Sequence, residues 1–224
     1  MNLLSGSIGV ICALGGRPDM AFILMIAAAV FDFADGLAAR LLKVVSPLGK
    51  ELDSLSDMVS FGLLPAVMLC ALMFGFRGIR WYAFIPLFLA LMSALRLAKF
   101  NTDERQSDNF IGLPTPSSAM IAGSLAYFVY RCPDSILAKV AATSFAVPII
   151  AVVLGLLLVS EIPMFGMKIS RGSHLLDAKR IVFLAAAVVI LVLTLVLGED
   201  WSLAVLGIFV FYILENCILV PVTR

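Results

Sequence analysis

Long apolar stretches separated by short breaks of glycine, proline and charge run through the whole chain. The breaks predict eight helices, at about 2–14, 20–42, 48–74, 81–100, 116–131, 136–160, 181–197 and 201–220. Most approach the roughly 20 residues that an α-helix needs to cross about 30 Å of hydrocarbon. A membrane β-barrel would instead show short segments of alternating polarity, so that class is excluded. At 1.5 Å per residue the first stretch reaches only about 20 Å, and it is expected to be a partial span or to continue into upstream sequence. No basic leader or cleavage pattern marks it as a removed signal peptide. Pro65, Pro86 and Pro148 fall inside apolar runs and are expected to kink them without splitting them, because neighbouring helices re-satisfy the freed carbonyls. The pattern predicts an all-α, polytopic membrane helix bundle of about eight transmembrane helices, a single integral membrane domain over residues 1–224.

Composition agrees with this reading: 62% of residues are hydrophobic and 14% charged, with a mean hydropathy of +1.09, far from the averages of soluble domains. A net charge of +1 gives no reason to expect a nucleic-acid partner. Cys12, Cys70, Cys132 and Cys217 form no close pair and read as small buried hydrophobes. The basic residues set the orientation. Arg40, Lys43, Lys50, Arg96, Lys99, Arg105, Lys168, Arg171, Lys179, Arg180 and Arg224 fall on one side, against Arg17, Arg77, Arg80, Arg131 and Lys139 on the other. Eleven against five places the first side, with both termini, in the cytoplasm of what is expected to be a bacterial cytoplasmic membrane. His174, the only histidine, reads as a solvated residue of the polar loop 168–180.

Acidic residues are costly inside a bilayer, about 2.5 to 3.5 kcal/mol each at its centre, and four of them cluster here. Asp32 and Asp35 end the second stretch, and Asp53 and Asp57 open the third, across a short turn that makes the two helices antiparallel. Residues three or four apart share a helix face. Asp32, Asp35, Gly36 and Ala39 therefore form one stripe, and Gly49, Asp53 and Asp57 a facing one. The small residues permit either close helix approach or a ligand against bare backbone. Four converging carboxylates with no His or Cys suit hard cations, and favour two divalent ions, Mg²⁺ or Mn²⁺, of the kind that clamp phosphoryl transfer. Two other readings remain open on these residues: interfacial salt bridges to Arg40, Lys43 and Lys50, and the ion pathway of a cation-coupled transporter. Ser46-Pro47 reads as an N-cap followed by a first-turn proline.

The run Asp32-x2-Asp35-Gly36-x2-Ala39-Arg40-x8-Gly49-x3-Asp53-x3-Asp57 resembles the signature of the CDP-alcohol phosphatidyltransferase family, matching it at every fixed position and spacing. The resemblance implies a six-helix catalytic core reaching to about residue 160, with a loop and two additional helices over 161–224. It also implies a reaction in which a CDP-linked lipid meets an alcohol and CMP leaves. By this resemblance Asp32, Asp35, Asp53 and Asp57 are metal ligands, and Asp57 is also the catalytic base. Asp35, Gly36, Ala39, Arg40, Gly49 and Asp53 line the CDP pocket.

Further stretches are similar to the branch of the family that uses L-serine: Asn2 to Gly6 (NLLSG), Gly49 to Gly62, Ser93 to Asn101 (SALRLAKFN) and Phe110 to Pro116 (FIGLPTP). The implied partners are CDP-diacylglycerol, L-serine and membrane lipids, with glycerol phosphate or inositol phosphate as the alternative acceptors. Serine's carboxylate calls for a fixed cation. Arg96 and Lys99, with Asn101 beside them, are the candidate serine-binding residues. That branch carries a Pro-Asn pair near the start of its first helix, and this chain begins after it. Asp103 to Asp108 reads as a solvated loop. Glu199, Asp200 and Glu215 read as packing elements or part of a possible homodimer.

Overall fold

The computed structural model describes residues 1–42, 46–102, 110–164 and 174–218, with backbone alone at 110, 174–179 and 218. The predicted solvated loop at 103–108, and Lys43, lie outside these residues. The helices are α1 (Asn2–Leu14), α2 (Pro18–Leu41), α3 (Pro47–Asp57), a π-helical turn (Met58–Leu63), α4 (Leu64–Arg77), a 3-10 turn (Trp81–Phe84), α5 (Leu87–Thr102), α6 (Thr115–Arg131), α7 (Ile136–Ala141), α8 (Ala146–Val159), α9 (His174–Val196) and α10 (Trp201–Ile218). Two-residue strands, β1 (Phe110–Ile111) and β2 (Pro163–Met164), pair antiparallel. Three helical runs are long and apolar enough to cross a membrane: Pro18–Leu41, Pro47–Arg77 and Trp81–Thr102. Shorter apolar helices accompany them. This is a helical membrane protein.

The prolines explain most departures from the predicted helices. Pro65 cannot donate to the ladder, and the turn before it widens to π geometry. Pro86 separates a 3-10 turn from α5. Both are local adjustments that spare a membrane helix a lost hydrogen bond. Pro148 occupies the first turn of α8, where no i−4 carbonyl awaits its missing N–H. The predicted helix 136–160 is in fact two, because the chain breaks between Ala141 and Ala146. Thr143 Oγ1 donates back to Val140 O at 2.7 Å, a side-chain bond that competes with continuing the helix. Helix α9 begins at His174, so that residue opens a helix instead of sitting in a loop. Cys70 is the one buried cysteine of the four.

The core lies along α4 and α6, whose residues are buried over most of their length. Phe22 and Met25 of α2 fill the space over Gly123 of α6. Helix α10 packs on α6, with Trp201 stacked on Phe22 at 5.4 Å and Asp200 paired to Arg131 at 3.6 Å. Asp200 is thus a packing residue, as expected.

Candidate active site

The shared faces of α2 and α3 become two walls of a cleft of about 730 Å³, and Met1, Asn2 and Leu3 at the start of α1 line it as well. Asp32, Asp35, Gly36, Ala39 and Arg40 line one wall, and Gly49 and Asp53 the other. Ser46 caps α3, accepting from Gly49 N at 3.0 Å. A Cβ at Gly36 would meet nothing within 4 Å, so this glycine opens the cleft and does not serve helix packing. Oxygens of Asp32, Asp35 and Asp53 lie within 4.8 Å of one another. Two oxygens on one cation, at bonds of about 2.0 to 2.6 Å, are separated by at most about 4 to 5 Å, so the three carboxylates fit a hard divalent ion. Among the described residues no ion pair joins these acids to Arg40 or Lys50. Lys50 donates instead to Asn101 O at 3.3 Å. The salt-bridge reading therefore finds no support in the described residues.

Asp57 adjoins that trio through Asp32. Asp32 interacts with Asp35 and Asp53 in the cleft and with Asp57 below it. Asp57 Oδ1 accepts a 3.0 Å hydrogen bond from Asn2 Nδ2 at the start of α1. Two close helix approaches build this lower part. Gly6 of α1 lies against Ser60, where any side chain would collide with the hydroxyl, and Ser60 Oγ donates to Asn2 O at 3.2 Å. Gly62 lies against Ser93 of α5, whose Cβ is 2.9 Å from where a Cβ on the glycine would stand. Gly6 thus delivers Asn2, and Gly62 delivers α5, to the turn that carries Asp57.

One turn beyond Ser93, Arg96 is buried at 7% exposure. Its Nη1 donates to Thr115 Oγ1 at 3.3 Å, and its guanidinium lies over the Phe100 ring at 5.9 Å and within electrostatic reach of Asp57. Lys99 points elsewhere, with its Nζ 4.0 Å from Glu161. Asn101 is a strut to α3, donating to Ser54 Oγ at 2.9 Å. Of the candidate serine-binding residues, the structure brings only Arg96 to Asp57. Asn2, Thr115 and Ser118 carry no role in the sequence reading, although each is a polar residue in or beside an apolar run.

Fold and site together define a helical membrane protein with an acid-walled, cation-ready cleft at one end of its bundle. The chain belongs to the CDP-alcohol phosphatidyltransferase family, whose profile matches residues 1–214. It is similar to the CDP-diacylglycerol–serine O-phosphatidyltransferase of Mycobacterium leprae, with 37% identity over 56% of this chain and 44% of that one. It also matches the archaetidylserine synthase of Methanothermobacter thermautotrophicus, at 35% over 55% and 53%. The CDP-diacylglycerol–serine O-phosphatidyltransferase of Bacillus subtilis matches at 32% over 53% and 67%. The chain spans about half the length of the first two of these relatives.

Proposed function

We propose that this protein is a phosphatidyltransferase that joins CDP-diacylglycerol and L-serine to give phosphatidylserine and CMP. The observation that carries the reading is the convergence of Asp32, Asp35 and Asp53 in one cleft with Arg40, in a chain whose relatives' names differ in the lipid but share serine.

In this reading Arg40 pairs with the donor's phosphates, since a guanidinium is a natural phosphate partner. Gly36, Ala39 and Gly49 leave room for the cytidine and diphosphate. Asp32, Asp35 and Asp53 hold one divalent cation, and Asp57 with Asp32 a second, either Mg²⁺ or Mn²⁺. When bound, these ions supply Lewis-acid stabilisation of the charge on the diphosphate. Asp57 takes the proton of the serine hydroxyl. The hydroxyl oxygen forms a bond to the lipid-side phosphorus, the bond from that phosphorus to the bridging oxygen breaks, and CMP leaves with the electron pair. Arg96 grips the serine carboxylate. Lys99 and Asn101 stay candidates for the rim of that pocket. The wider setting we propose is a single membrane domain of eight spans, with a core over 1–160 and the site facing the cytoplasm of a bacterial membrane. A homodimer through the last two helices is part of this proposal.

The test is CMP release from CDP-diacylglycerol with serine, glycerol 3-phosphate, inositol phosphate or choline as acceptor. Serine should be used far better than the others. Preference for a phosphorylated polyol would move the chain to another branch of its family, and no CMP release with any acceptor would overturn the reading.

A further inference from the structure

Three buried side chains, Asn2 and Arg96 beside Asp57 and Ser118 on α6, carry polar atoms with no hydrogen-bond partner: Asn2 Oδ1, Arg96 Nε and Nη2, and Ser118 Oγ. Asn2 is 3% exposed and Ser118 is fully buried. Leaving such groups unmatched inside a protein is costly, and each one calls for an explanation.

These atoms differ in kind. Arg96 Nε and Nη2 can only donate, Asn2 Oδ1 can only accept, and the Ser118 hydroxyl can do either. The Asn2 amide has a chemically fixed orientation, because an ionised carboxylate only accepts and so takes the Nδ2 end. The bond to Asp57 therefore leaves Oδ1 as the open end of the amide. Ser118 sits one turn along α6 from Thr115, the residue that accepts from Arg96 Nη1, so its hydroxyl belongs to the Arg96 side. Asp57 thus has unmatched donors on Arg96, which interacts with it electrostatically, and an unmatched acceptor on Asn2, which bonds to it and also lines the cleft. A phosphorylated polyol offers negative charge alone, and ethanolamine or choline positive charge alone. An α-amino acid carries both charges on the carbon next to its hydroxymethyl group.

We propose that Asn2 Oδ1 accepts a hydrogen bond from the ammonium of an amino-acid acceptor, while Arg96 and the Ser118 hydroxyl together bind its carboxylate. The first turn of α1 is then the element that selects an amino acid. This deepens the phosphatidyltransferase reading and rests on it.

The experiment uses the full chain in lipid nanodiscs with CDP-diacylglycerol. It measures KM and kcat for L-serine, and inhibition constants of 3-hydroxypropionate, which has a hydrogen in place of the ammonium, and of ethanolamine, which lacks the carboxylate. Asn2→Ala should raise KM for serine roughly 10- to 100-fold, the effect of one charge-assisted hydrogen bond, and leave the 3-hydroxypropionate constant as in the wild type. Ser118→Ala, a near-isosteric change, should weaken serine and 3-hydroxypropionate by the same several-fold factor and leave ethanolamine unmoved. If Asn2→Ala lowered kcat alone, Asn2 would only position Asp57 and the proposal would fall. Ser118→Ala with an unchanged serine KM would overturn it as well. Wild-type protein that releases no CMP with serine would instead sink the underlying phosphatidyltransferase reading, so the two failures are distinct.

Discussion

The two halves of the site are built on opposite principles. The upper cleft is open and charged, and its acids come from two helices adjacent in sequence, with the start of α1 completing the lining. Asp35 and Asp53 are exposed, and Asp32 is half-buried. Asp57 and its neighbours are drawn instead from α1, α3, α5 and α6, with Asn2, Arg96, Thr115 and Ser118 all buried. The difference follows from what each half must hold. A cation and a diphosphate carry full, opposite charges that tolerate water nearby and gain from proximity to an aqueous face. A small polar acceptor is distinguished from its analogues only where unmatched groups are dry, because there a missing hydrogen bond is expensive.

The sharpest way to break this contrast is to remove charge from the cleft. Asp35→Asn or Asp53→Asn keeps shape and loses a ligand. CMP release should drop by about 10³-fold or more, given that Lewis-acid stabilisation is worth several kcal/mol, and chelation of the wild type should do the same. Near-normal turnover of either variant in metal-free buffer would show that the cleft is not a metal site. Asp57→Asn lies at the junction of the two halves. Turnover should fall about 10²- to 10⁴-fold, the usual worth of a positioned base, while the dissociation constant for the CDP-lipid stays within a few-fold. Parallel losses in both constants would make Asp57 a metal ligand only.

Within the buried half, Arg96→Ala should raise the serine KM by roughly 10- to 150-fold, about 1.5 to 3 kcal/mol, with CDP-lipid affinity unchanged. Arg96→Lys should restore part of this loss, since a point charge cannot reproduce a two-pronged contact. A serine KM that did not move would return Arg96 to a membrane-anchoring role. The smallest effect compares two glycines by thermal unfolding. Gly62→Ala would set its new Cβ 2.9 Å from Ser93 Cβ and should destabilise by about 1 to 3 kcal/mol. Gly36→Ala projects into open space and should leave stability unchanged or raise it by up to about 1 kcal/mol, while narrowing the cleft for the donor. Equal losses at both positions would contradict the open-cleft geometry.

Much of the cleft was legible along the chain. Asp32 with Asp35, and Asp53 with Asp57, share faces by helical spacing alone, and antiparallel helices joined by a short turn must bring those faces together. The ends of α1 and α2 and the Ser46 cap were legible for the same reason, since each depends on residues a few positions apart. The break between α7 and α8 was not, because alanine, threonine, serine and phenylalanine across it carry no strong stop signal. Nor was the hydrogen bond that Asn2 gives Asp57. Spacing places Asp57 on the stripe of the other acids, where it meets Asp32, and only the packing of α1 brings Asn2 to it.

The sequence by itself determined that the chain is a membrane helix bundle and that it carries an acidic cleft, because apolar length and helical periodicity are local properties. Tertiary structure alone decided which polar residues became a pocket. Arg96, Lys99 and Asn101 are similar candidates along one helix end, yet the approach of Gly62 to Ser93 buries the first, and the second and third turn to Glu161 and Ser54. Asn2 and Ser118 stand 116 positions apart in the chain, and they share one end of the site because α1 and α6 both pack against the π-helical turn that follows Asp57. Contacts between distant segments are set by the sum of packing across the bundle, and no local pattern encodes that sum.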